Sequence, residues 1–407
     1  MQEIYCAIDK DLLGSLEKVP FMVKKILLLA FIIGSGYFIT FQKNPAVTNS
    51  SDDKVSNPEV AAVQDFQNVP EMTDILSSEQ ETRLKAGRKL AERVGVEEAL
   101  EILEHSPLPH TGEGHLVVHQ IGFHAYRTYG VDAILHCKDY FLYACYHGAI
   151  IEAAGEQGVA AITKMTDTCK THSGRYFQCV HAAGHAILAM FDYDLRKAME
   201  TCDQLYEKEI KFSDALSSCH NGAFMENLFG VHDWGTGKEA VRDWLKDDDP
   251  YFPCNAFGEK YQRGCWLNQA ARIYQMKQNS IEETARLCEA IGNRTYTDWC
   301  MDNLARQIHP LTNGDIDQVF ALCPKMGAFW TEGCIIINAG SYYSVGDREK
   351  PFTICSQLSL PAQNVCFEKL LGQIIGDTIS NEEKAQVCTK LNEPYKRECH
   401  NRLKNTT

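Results

Sequence analysis

The feature that most constrains this chain is the rhythm of its cysteines. Sixteen of the seventeen fall into eight successive pairs: 137/145, 169/179, 202/219, 254/265, 288/300, 323/334, 355/366 and 388/399. The second members follow one another at intervals of 34, 40, 46, 35, 34, 32 and 33 residues. A period in this range marks stacked helical hairpins, because one hairpin cannot bury its own apolar face and its neighbours must cover it. One late unit is legible in detail. Ile281 to Ile291 has amphipathic helical spacing with Cys288 in its last turns, and Gly292-Asn293-Arg294 makes a turn. The return helix runs from Thr295 or Tyr296 to Ile308, with Cys300 in its first turns. Two cysteines near the closed end of such a hairpin can reach the ~5.5 Å Cα separation of a disulfide. Local pairing is therefore expected, at on the order of 2–3 kcal/mol per bridge in the chain-entropy view. Pairing between repeats is the alternative.

The expected fold class is all-α: an α/α superhelical solenoid of about eight hairpins behind an N-terminal anchor. Hairpins with one cysteine pair each resemble Sel1-like repeats, especially the disulfide-stapled form in Helicobacter cysteine-rich proteins, and more distantly tetratricopeptide repeats. The resemblance spans about residues 130–404 and rests on the period and the paired cysteines. The spacing within a pair is mostly eleven or twelve here, wider than in that group, and the Leu-Gly consensus is absent. The resemblance implies a solenoid with a binding or secreted-adaptor role.

The odd cysteine, Cys6, precedes the only membrane-length apolar stretch, and the even set follows it. Sixteen sulfurs confined to one side suggest disulfides in an oxidising compartment. Residues 22–41 are expected to be an uncleaved transmembrane anchor, in preference to a cleaved signal, with Lys24 and Lys25 on the cytoplasmic flank. Met22 is a natural start, which makes residues 1–21 a short extension. Residues 42–80 read as a flexible linker, 81–250 as His-rich helical repeats and 251–407 as structural repeats. A net charge of −14 without a basic cluster argues against nucleic-acid binding.

Twelve of the fourteen histidines lie between His105 and His232. His115/His119 and His181/His185 are His-x₃-His pairs, which put two imidazoles on one helical face. Cys145-Tyr146-His147-Gly148-Ala149 with Glu152 echoes Cys219-His220-Asn221-Gly222-Ala223 with Glu226. Stacking aligns equivalent positions of successive repeats, so His115, His119, His147, His181, His185 and His220 are the expected metal ligands. Such a set suits Zn²⁺, Fe²⁺, Mn²⁺ or Cu²⁺, and Glu152 or Glu226 would be the general base if the metal activated water. Gly148, Gly184 and Gly222 would permit close helix approach. The bland alternatives are a hydrogen-bonded polar ladder or a groove without metal. The late repeats keep the helical pattern but carry Asn and Arg where Gly and Glu stood, as in Trp266-Leu267-Asn268-Gln269-Ala270-Ala271-Arg272. That contrast favours function over hairpin structure. The two readings carried forward are a metal site, for binding or hydrolysis, and a cell-envelope scaffold whose concave face takes a protein or glycan.

Overall fold

Helix starts are written in short polar side chains, and the chain folds accordingly. Asp194, Ser280 and Asn293 each accept a hydrogen bond from the backbone N–H three residues on, and Ser380 forms a capping box with Glu383. This computed structural model describes residues 66–404 apart from 111, 174, 209–212, 231–242 and 378. Among these the protein is all-helical, with α1 Met72–Ile75, α2 Gln80–Val94, α3 Val96–Glu104, α4 Glu113–Tyr129, α5 Tyr140–Gln157 and α6 Val159–Thr168. There follow α7 Tyr176–Met190, α8 Leu195–Tyr206, α9 Ser213–Phe229, α10 Gln262–Met276, α11 Ile281–Glu289 and α12 Arg294–Leu311. The last are α13 Ile316–Leu322, α14 Thr331–Ser344, α15 Lys350–Ser356, α16 Leu360–Gly376, α17 Asn381–Cys388 and α18 Tyr395–Lys404.

All eight disulfides join the two cysteines of one local pair, with Cα separations of 5.5–6.4 Å. Every bridged sulfur sits in the core. Eight such bonds point to an oxidising, extracytoplasmic environment. The second cysteine of each pair lies near the start of a return helix, and these helices, preceded by the cysteine-free α4, pack in sequence: α4 on α5, α5 on α7, α7 on α9, α9 on α10, α10 on α12, then α14, α16 and α18.

How neighbouring return helices meet changes along the row. At the α4–α5 and α7–α9 crossings they touch backbone to backbone. A Cβ on Gly148 would stand 2.1 Å from the His119 carbonyl oxygen, and one on Gly222 would stand 2.0 Å from that of His181. In α10 and α12, the next two return helices, the place three residues after the cysteine is Asn. Asn268 donates to the Asn221 carbonyl at 3.2 Å, and Asn303 accepts from the Ala271 N–H at 2.9 Å. An amide is thus inserted where glycine had allowed direct contact, and both solutions satisfy the crossing.

The row also curls back on itself. A Cβ on Gly346, after α14, would lie 3.6 Å from Oε1 of Glu104, the last residue of α3, and 3.5 Å from Cε1 of His110 just beyond it. The expected anchor, the segment before it and residues 42–65 of the expected linker lie outside the described residues. Among the described residues, no helix is long and apolar enough to cross a membrane. Residues 66–80, grouped with the linker by composition, instead contain α1. Met72 and Ile75 stand on one face of it, three apart, and bury against α2.

Candidate metal centre

The site is built from one repeated position. Two residues after the cysteine stand His147 in α5 and His181 in α7, and the matching place in α4, Val117-Val118-His119, carries His119. The Gly148 and Gly222 contacts establish that match, because the carbonyl touched is His119 in one crossing and His181 in the other. Each outer helix then adds an imidazole one turn away, His115 in α4 and His185 in α7. Five rings gather as a result. His147 is the hub: its ring centroid lies 5.2, 5.5, 5.4 and 5.3 Å from those of His115, His119, His181 and His185.

The nitrogens, rather than the ring faces, converge. His115 Nε2 is 2.9 Å from His119 Nε2 and 3.3 Å from His147 Nδ1, and His181 Nε2 is 3.1 Å from His185 Nε2. Ligating atoms of His115, His119 and His147 all lie within 4.8 Å of one another. Two nitrogens bound at ~2.1 Å to one tetrahedral Zn²⁺ stand about 3.4 Å apart, so these ring-to-ring hydrogen-bond contacts need to open by only a few tenths of an ångström to admit an ion. The three histidines can hold a metal.

Groups behind the rings set their direction. His115 Nδ1 donates to the Phe141 carbonyl at 2.7 Å, which leaves Nε2 as the lone pair of the neutral ring. That carbonyl is aimed by an unusual piece of backbone. Phe141, Leu142 and Tyr143, at the start of α5, all lie in the left-handed region with φ between 52° and 63°. Bulky residues held there cost on the order of 1 kcal/mol or more each, a strain typical of ligand clamps. On the other side, His185 Nδ1 meets Glu226 Oε2 at 3.0 Å, and the Tyr193 hydroxyl donates to Glu226 Oε1 at 2.6 Å. A carboxylate behind an imidazole is the usual way to orient a metal-binding histidine. Tyr193 itself is left-handed, with φ 64°.

Burial and crowding keep the central rings neutral. His147 is pushed well below its ordinary value, by burial first and then by the charges of its four neighbours. His181 falls to about 3, again by burial first, then by His185 and His115, against weak support from Asn221 and the Ser218 backbone. Neutral imidazole is the form that binds metal.

Two expected residues stand elsewhere. His220 is one residue after its cysteine, not two, which turns it about 100° around the helix. It is wholly buried, with Nε2 on Asp203 Oδ1 at 3.0 Å and its ring against Tyr261. The true counterpart of His147 in α9 is Asn221, whose side-chain amide donates to the Gly264 carbonyl at 3.5 Å. The expected general bases also part company. Glu226 reaches His185, four residues beyond His181, but the residue four beyond His119 is Phe123. With no imidazole to meet, Glu152 pairs with Arg127 at 2.6 Å. Both carboxylates are thus already engaged, Glu152 by Arg127 and Glu226 by His185 and Tyr193. Reasoning from the sequence gave no part to Tyr193, Phe141 or Asn221. Only Asn221 carried a signal, its register two after Cys219.

No match ties the chain to a known group. No protein family, curated protein or solved structure matches this sequence or fold. The site therefore stands on its own geometry.

Proposed function

We propose that this protein is an extracytoplasmic α/α solenoid that binds a transition-metal ion, held to the membrane by residues 22–41. Its His-rich repeats, within 81–250, carry the site, and the repeats of 251–407 carry structure, in the manner of Sel1-like repeats. The observation that supports the metal most is the convergence of three ligating atoms of His115, His119 and His147 within 4.8 Å. An all-imidazole set favours Zn²⁺ or Cu²⁺, and makes Mn²⁺ a poor fit for want of carboxylate oxygen. With Glu152 and Glu226 both engaged, the role is metal capture rather than hydrolysis. The experiment is titration of the chelator-stripped full-length protein with Zn²⁺. Stoichiometric binding is expected, with stabilisation of ~2.7 kcal/mol at free metal a hundred times Kd. Combined His115→Ala and His119→Ala substitution should abolish binding at this point. A wild-type protein that takes up no stoichiometric Zn²⁺ or Cu²⁺ would refute the reading.

One observation favours a second reading, an interaction scaffold for a protein or glycan. Phe329 is 70% exposed beside Trp330, and Arg294 lies 4.6 and 4.8 Å from the two rings. If that patch binds, Phe329→Ala should remove retention on a glycan or peptide array and leave Zn²⁺ titration unchanged.

A further inference from the structure

The His115/His119/His147 set leaves two facing imidazoles unexplained. His181 and His185 direct their Nε2 atoms at each other across 3.1 Å. Behind His185 stands a carboxylate with no exposed surface, Glu226, itself held by Tyr193. This is a second ligand pair with its own orienting group, beyond the trio. Both pairs flank one ring. His147 turns Nδ1 to His115 at 3.3 Å, and its ring centroid lies 5.4 and 5.3 Å from those of His181 and His185. An imidazole has two nitrogens on opposite sides and can serve two ions at once.

We propose that the cluster holds two metal ions with His147 as their shared ligand, His115 and His119 completing one position and His181 and His185 the other. This rests on the metal-binding reading above and extends it. Neutral His147 has one lone pair and one N–H. Bridging therefore requires the ring to give up that proton to solvent as the second ion binds. Among the described residues, only the first trio already has its ligating atoms within 4.8 Å of one another. The first position should therefore fill first, and the second should draw the His181/His185 pair toward His147. The buried Glu226 carboxylate and an anionic His147 ring offset part of the added positive charge, which an all-neutral pocket could not do.

Cu²⁺ is the probe, titrated into the chelator-stripped full-length chain and followed by calorimetry and electron paramagnetic resonance. At one equivalent, the expected spectrum is that of an isolated Cu²⁺ in nitrogen ligation. At two equivalents the signal should collapse into that of an exchange-coupled pair. The enthalpy of the second step should vary with the ionisation enthalpy of the buffer, reporting release of one proton. The His181→Ala/His185→Ala protein should bind one equivalent with an uncoupled signal. Glu226→Gln, which keeps the volume of the side chain, should weaken only the second equivalent, by ~10–100-fold. A wild-type protein that stops at one equivalent, or takes two that never couple, overturns the shared-ligand proposal and leaves the trio intact. Loss of all binding in the wild type overturns the underlying metal reading instead.

Discussion

Replacing Gly148 by alanine separates two effects that ordinarily oppose each other. In a free helix the change stabilises by about 1 kcal/mol, since glycine is the poorer helix former. Here the new methyl carbon would lie 2.1, 2.9 and 3.0 Å from the oxygen, carbon and Cα of His119. All three are backbone atoms, so no rotamer change relieves the clash. Restoring an ordinary contact of 3.4 Å requires α4 and α5 to part by roughly 1.3 Å, the difference between 3.4 and 2.1. Overpacking of this kind costs on the order of 3 kcal/mol, which leaves a net loss of ~2 kcal/mol. The shift falls between His119 and His147, whose placement must hold within about 0.2 Å for metal ligation, so Zn²⁺ affinity should drop by ~100-fold or more. Gly333 in α14 is the control, because a Cβ there meets nothing within 4 Å. Gly333→Ala should stabilise by about 1 kcal/mol and leave Zn²⁺ binding untouched. Denaturant unfolding and calorimetric titration of both variants decide the matter. If Gly148→Ala raised the unfolding midpoint as Gly333→Ala does, or kept full Zn²⁺ affinity, the tight crossing would not be what assembles the site.

Two further outcomes follow from the bridges and the titratable groups. Exchanging Cys202 and Cys219 for serine opens a span of seventeen residues at the base of α9, and should cost ~3 kcal/mol by denaturant unfolding. The pH dependence has two opposed contributors. His181, at about 3 folded against 6.5 unfolded, gives stability that is full above 6.5 and lost as pH falls toward 3, amounting to ~2 kcal/mol by pH 5, and His147 acts in the same direction. Glu104, raised by burial to about 7, gives stability that is present below 4.5 and lost as pH rises through 7. Glu104→Gln in metal-free protein should therefore steepen the loss between pH 7 and pH 5, and an unchanged slope would contradict the assigned burial.

What the sequence made legible depended on repetition. Local disulfides, the hairpin beat and the return helices each recur, so one clear unit such as Cys288–Cys300 taught the rest. The glycines at 148, 184 and 222 were readable for the same reason, since a helix keeps an expensive residue only where a neighbour needs the space. His220 shows the limit of that reasoning. By eye it echoes His147, yet it is one residue out of register, and on a helix one residue turns a side chain to another wall. Glu152 and Glu226 share a register exactly where their surroundings differ, and the surroundings come from a different helix. The left-handed run at Phe141–Tyr143 and the meeting of Glu104 with Gly346 depend on contacts far apart in the chain. No local pattern announces them.

The position of the site along the row has a physical reason. Return helices from α5 onward each carry a cysteine that ties them covalently to their own hairpin, but α4 has Val117 at that place. α4 is held instead by burial of Val117 against Gly87, by the glycine crossing with α5, and by the His115 bond to the Phe141 carbonyl. Among the described residues, it is the one return helix in the row that no disulfide secures. A metal bound through His115, His119 and His147 would join α4 to α5 at the level where the missing bridge would have stood. The proposed ion then acts as a cross-link as well as a ligand, so its removal should loosen α4 before any other helix of the row. Hydrogen exchange gives this a readout: on chelation, amide protection should fall in 113–129 while the disulfide-held helices from α10 to α18 keep theirs. Uniform loss across the row would mean that metal and scaffold are one cooperative unit, and that the absent bridge has no bearing on where the site lies.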